Sequence, residues 1–193
     1  MARLPWTLSI VVVALVISAF LGIVLGAGSA MMRSQKGDSI LYFTMTVLGE
    51  IPAFLIGVVL LFIVAAGLGW FPVAGGMTTF AFFDSVWEQV SDRIHHAALP
   101  IVTLVLSRIG AFYIVTRNSV MTILMKDDIR TAKGKGIHRI RIMLYHALKN
   151  ALPPILSRFF MSFGAIIGGA ILVENIFNYH EIGQLKNDAI FAR

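Results

Sequence analysis

From Lys126 to Pro154 the chain reads KDDIRTAKGKGIHRIRIMLYHALKNALPP. Between Arg117 and Pro153 it holds eight Lys/Arg against two acids, a local excess of +6 in a chain whose formal net charge is +6. Residues of this kind do electrostatic work, attracting a partner protein's acids or anionic lipid head groups. They offer no nucleotide chemistry, because Gly134-Lys135-Gly136 has neither the spacing nor the Lys-Ser/Thr of a phosphate-cradling loop. Zero cysteines exclude disulfides, thiolate metal sites and a Cys nucleophile together. His95 and His96 invite a metal, nickel above all. Adjacent side chains on a helix are poorly placed to share one ion, and hydrogen bonding at a helix end is the better account. No metal or cofactor is expected.

The basic segment has its own periodicity. Ile129, Ala132, Ile137, Ile140, Leu144, Ala147 and Leu148 recur mostly at three- and four-residue spacing, which predicts a helix with one apolar face. The pattern breaks once, at Gly134-Lys135-Gly136. On both sides stand long apolar runs, and the whole chain is 58% hydrophobic and 13% charged, with a mean hydropathy of +0.83. Soluble domains carry about 25% charged residues. The chain therefore reads as an all-α polytopic membrane bundle, and the high pI reflects one loop rather than a nucleic-acid surface.

Four runs reach the roughly 20 residues a bilayer requires: about Leu8–Met32, Leu41–Leu68, His95–Val115 and Pro153–Val173. The first is too long for a signal-peptide core. Loop charges orient them. The 33–39 turn is net +1, the 70–94 loop −2, the 117–153 loop +6 and the tail from Glu174 onward −1. The positive-inside rule then places 33–39 and 117–153 in the cytoplasm, and both termini with 70–94 outside. Trp6, Trp70 and Tyr179 fall at the outer interface.

Within the spans, Arg108 stands near the middle, where an ionisable group is costly and points to function. It either lines a solute pathway or pairs internally with an acid or backbone carbonyls. Arg158, near the inner end of its span, is expected to snorkel to the interface. Glu50 is expected to pack or pair. Gly22/Gly26 and Gly164/Gly168 are G-x-x-x-G pairs that allow close helix packing, and Pro52 and Pro100 are expected to kink or start helices.

Taken in order, these residues resemble a known family. Arg3-Leu4-Pro5-Trp6-Thr7-Leu8, Ile51-Pro52-Ala53-Phe54, Leu68-Gly69-Trp70-Phe71-Pro72, Leu99-Pro100 and Thr116-Arg117-Asn118-Ser119 are similar to signatures of the permease subunits of binding-protein-dependent ABC importers, in the dipeptide/oligopeptide/nickel branch. Arg130-Thr131-Ala132-Lys133-Gly134-Lys135-Gly136 resembles that branch's R-T-A-x-x-K-G coupling signature, and His146-Ala147-Leu148-Lys149-Asn150-Ala151-Leu152 its continuation. Gly168-Gly169-Ala170, Val173-Glu174-Asn175-Ile176-Phe177 and Ile182-Gly183-Gln184-Leu185 resemble the last stretch. The chain departs from the pattern at His180-Glu181, usually Pro-Gly, at Pro153-Pro154, usually Leu-Pro, and at Arg108, usually apolar.

The resemblance implies a multi-pass permease of a prokaryotic cytoplasmic (inner) membrane, importing di- or oligopeptides. Nickel or another small solute is the alternative within the class. A non-transporting scaffold or channel with a lipid-binding loop is the alternative outside it. The implied partners are a sister permease, two cytosolic ATPase subunits that hydrolyse the ATP, an extracytoplasmic substrate-binding protein and membrane lipid, with no nucleic acid. This chain would not be an enzyme. Residues 1–193 would form one permease domain, with a helix before and a helix after them in the family, and 117–153 would be its cytoplasmic coupling loop. Residues 128–148 would fold as helix, glycine turn and helix. Contact with the ATPase is assigned to Thr131, Ala132, Gly136, Ile137 and Ile140, with Arg130, Lys133 and Arg139 supplying charge. Ala132 and Gly136 would leave a small-residue notch, and Arg108 is the candidate pathway residue.

Overall fold

Long apolar runs become long helices in the computed structural model, which describes residues 3–32, 34–78 and 85–177. Helix α1 spans Arg3–Ala30, α2 Gln35–Glu50 and α3 Ala53–Leu60, the last continuing as a π-helical run Leu61–Gly67. Helix α4 covers Val86–Leu124 and α5 Asp127–Gly134. Helix α6 begins at Arg139–Arg141, runs on as a π-helix through Ile142–Leu148, and passes into α7, Lys149–Ile176. Among the described residues there is no strand. Arg33, Asp84, Tyr179, His180-Glu181 and the motif Ile182-Gly183-Gln184-Leu185 lie outside them.

Three helical stretches are long and apolar enough to cross a membrane: Thr7–Ala30, Val86–Leu124 and Arg139–Val173. A fourth exists if Gln35–Glu50 and Ala53–Gly67 count as one span. The second expected span, Leu41–Leu68, is thus not a continuous helix. Ile51 and Pro52 are extended, with ψ of 123° and 138°, because a proline ring disfavours helical backbone in the residue before it. Pro52 starts a helix, whereas Pro100, Pro153 and Pro154 lie inside α4 and α7 without ending them. The third span is longer than expected, since the polar turns on either side of it are helical too.

Local chemistry explains the ends. Ser34 caps α2, its hydroxyl accepting from the Gly37 N–H at 3.3 Å. Asp127 and Asp128 open α5 and Lys133 stands in its last turn, each complementing the helix dipole. On α1, Val12, Val16, Phe20 and Val24 recur every fourth residue and are exposed, whereas Val11, Ala14, Leu15 and Ser18 are buried. An apolar stripe left uncovered on a helix of this length is what acyl chains would solvate.

The chain divides into two compact units. One comprises Met1–Ala14, Pro52–Leu104 and Ile166–Arg193. There Gly57 lies against Thr103 and Phe177, Thr78 bonds Asp92 through both backbone and hydroxyl, and the Gly75 N–H donates to the Phe177 carbonyl. The other comprises Leu15–Ile51 and Val105–Ala165, and it holds the basic loop. Its core is built from Val120, Ile123, Ile129, Ala132, Ile142, Met143, Ala147, Ala151 and Ile155.

In this second unit, helices approach closely where glycines allow it. A Cβ on Gly22 would stand 2.5 Å from the Phe112 Cβ, and one on Gly26 2.7 Å from the Tyr113 carbonyl oxygen. The Gly22/Gly26 pair therefore packs α1 on α4 as expected. A second approach was not foreseen: a Cβ on Gly110 would collide with the Met45 carbonyl oxygen and lie 3.1 Å from the Gly49 backbone. Gly164 and Gly168, by contrast, have nothing within 4 Å of an added Cβ, so they make no such approach among the described residues.

Candidate functional site

The basic loop folds as helix, turn, helix. Gly136 takes φ +74°, a left-handed conformation that L side chains rarely adopt, and Gly134 remains helical as the last residue of α5. The Gly136 N–H donates to the Lys133 carbonyl and the Ile137 N–H to the Ala132 carbonyl, closing the end of α5.

The loop has two faces, and its periodicity predicts the inner one except at Ile140 and Leu144. Ile129, Ala132, Ile142, Met143 and Ala147 are buried in the core cluster, with Ile137 packed partly against it. Ile140 and Leu144 are more than half exposed, and so is Tyr145. The single apolar stripe running through Ile140 and Leu144 is therefore corrected. After Gly136 the helix restarts, and the π-helical run Ile142–Leu148 changes the residue spacing per turn, so Ile142 and Met143 face inward in place of Ile140 and Leu144, while Ala147 is buried as the periodicity predicts.

The residues assigned to partner contact separate accordingly. Thr131, Gly136 and Ile140 are exposed, as are Arg130, Lys133 and Arg139. Thr131 spends its hydroxyl on the Asp127 carbonyl of its own helix, and Arg130 pairs with Asp127 at 3.7 Å. Arg139 donates to the Met31 carbonyl at the end of α1. Ala132 is buried, so it forms no outward notch with Gly136. Beneath the loop, Ala30, Met31, Leu124, Lys133, Ile137, Arg139, Ile142 and Met143 line a cavity of about 370 Å³.

Arg108 has a backbone partner. Its Nη2 donates to the Ala165 carbonyl at 3.0 Å, while its Nε is buried without a partner. Arg158 is half-buried, and its Nε is buried and unpartnered too. Glu50 ends α2, exposed. His95 and His96 are hydrogen-bonded as expected, but inside α4, which begins at Val86, rather than at a helix end. His95 Nε2 lies 3.1 Å from the Trp70 carbonyl and His96 Nδ1 2.8 Å from the Asp92 carbonyl.

A polar network joining α1, α2 and α4 was missed in the sequence. Arg117 grips Asp38 with two bonds, Nε to Oδ1 at 2.9 Å and Nη2 to Oδ2 at 2.5 Å. Ser29 donates to Asp38 and shares a 2.7 Å hydrogen bond with the buried Tyr113 hydroxyl. The Arg117 guanidinium also sits 4.9 Å over the Tyr42 ring. The available signal was that lone charges at the ends of apolar runs seek partners.

Comparison with known proteins adds an independent line. The family described as binding-protein-dependent transport system inner membrane component matches residues 19–193. The oligopeptide transport system permease protein AppB of Bacillus subtilis is 35% identical over all of this chain and 60% of its own length. The di/tripeptide transport system permease protein DppB of Pseudomonas aeruginosa is 32% identical, over 98% of this chain and 60% of its own. The glutathione transport system permease protein GsiC of Salmonella paratyphi A is 30% identical, over 97% and 56%. The chain thus spans about three fifths of the length of these relatives.

Proposed function

The chain belongs to the family of binding-protein-dependent transport system inner membrane components, and from that premise we propose that it serves as a permease subunit of an ATP-driven importer of short peptides. The solute class follows the names of its relatives, two of which are permeases for oligopeptides and for di- and tripeptides. Partners in this reading are a sister permease, two cytosolic ATPase subunits that carry out the hydrolysis, and a substrate-binding protein on the far side of a prokaryotic inner membrane.

One observation carries the coupling assignment: the loop is anchored on one face and open on the other. Ile129, Ala132, Ile142, Met143 and Ala147 tie it to the core of its unit, while Ile140, Leu144 and Tyr145 stand exposed among Lys133, Lys135, Arg139 and Arg141. Exposed apolar side chains ringed by cations suit a protein groove with an acidic rim. A lipid surface would take the cations but would not require the inner anchoring. Because the anchored face moves with its unit, force applied at the open face reaches the membrane helices. The two nucleotide states of the ATPases then favour different permease conformations through different contacts.

Co-purification tests this. The chain is co-expressed with its own cell's ABC-type ATPase and sister-permease subunits, wild type beside Gly136→Asp and Ile140→Asp. ATPase retained by wild type and lost by both variants, with membrane insertion unchanged, is the expected result. No ATPase in any sample would replace this reading with that of a lipid-binding scaffold.

A further inference from the structure

Arg108 and Arg158 lie in the same unit, one on α4 and one on α7. On α7, Arg158, Ser162 and Ala165 are spaced four and three residues apart, so they form one stripe of the helix. Arg108 reaches that stripe from across the gap, donating to the Ala165 carbonyl at 3.0 Å. Three polar atoms here are buried without any partner: Arg108 Nε, Arg158 Nε and Ser162 Oγ. Ser162 is only 2% exposed. A buried hydroxyl on a helix ordinarily satisfies itself on the carbonyl four residues back, and this one does not. Among the described residues no acid pairs with either arginine.

Two guanidinium groups directed to one stripe of an apolar helix are costly as they stand, and each leaves a buried donor unused. An anion held by both removes these penalties. A carboxylate fits best, since its two oxygens match the guanidinium fork, and Ser162 Oγ can supply a further donor. We propose that Arg108, Arg158 and Ser162 form a binding site for the carboxylate of a short peptide within the membrane part of the permease. The peptide rests on the transport reading above; the carboxylate rests on the geometry alone. The Ala165 carbonyl holds Arg108 in place while its Nε remains free for the ligand.

The test is thermal unfolding of the purified chain in detergent, titrated with alanylalanine and, separately, with alanylalanine amide. The two probes share size and amino group and differ only in the carboxylate. Wild type should be stabilised by the free acid and not by the amide. Arg108→Gln and Arg158→Gln should each weaken the response about tenfold or more, the loss expected for a charge-assisted bond, while Arg141→Gln, in the exposed loop, should leave it unchanged. Ser162→Ala should give a smaller loss. Equal response to acid and amide, no response in wild type, or responses retained in both arginine variants would overturn the proposal. Should the arginine variants fail to fold, the acid–amide contrast in wild type still decides. No ATPase takes part, so this outcome is independent of the co-purification result.

Discussion

Asp38 and Arg117 show how a single pair can govern a membrane protein. Their side chains are 21% and 15% exposed, and their two parallel bonds match fork to carboxylate. Removing one partner strands the other among buried groups, which costs about 3–5 kcal/mol where burial is complete. Asp38→Asn should therefore lower the thermal midpoint markedly. Replacing both, Asp38→Asn with Arg117→Met, should cost less than the two single losses added together. Melting all four proteins in detergent measures that coupling, and strict additivity would show that the pair contributes nothing. Tyr113 and Ser29 would be released by either change, so Ser29→Ala should couple to Asp38→Asn as well.

Among the elements, the glycines divide into those that turn the chain and those that let helices meet. Gly136 needs positive φ, so Gly136→Ala should cost about 1–2 kcal/mol. Gly134 is helical with open space around it, so Gly134→Ala should be neutral or slightly stabilising. Denaturation of the two variants side by side checks the contrast, and equal effects would refute the turn assignment. At the helix contacts, Gly26→Leu has backbone in its way at the Tyr113 carbonyl and should destabilise by at least about 1–3 kcal/mol. Gly164→Leu meets nothing among the described residues and should be tolerated by the isolated chain. A large loss at Gly164 would mean that the face is covered in the detergent-purified chain.

For the whole molecule, the prediction concerns sidedness. The chain has no cysteine, so single cysteines report without background. Lys135→Cys in the basic loop should be labelled by an impermeant maleimide only after the membrane is opened, whereas Val86→Cys, at the exposed start of α4, should react from outside. The reverse pattern would invert the topology and overturn the coupling role proposed for the basic loop.

Much of this architecture could be read before any coordinates. Composition and four apolar runs determine an all-α membrane protein, because no other structure hides its backbone from lipid over such lengths. The ordered motifs determine the family, and Gly134-Lys135-Gly136 marks the turn. What only the tertiary structure decided is who faces whom. Arg117 meets Asp38 across 79 residues and Arg108 meets Ala165 across 57, distances over which sequence spacing carries no geometric information. The inward face of the basic loop likewise took in Ile142 and Met143 in place of Ile140 and Leu144. Helical periodicity predicts a face only while the helix keeps one pitch and one direction, and here a left-handed glycine and a π-helical run alter both.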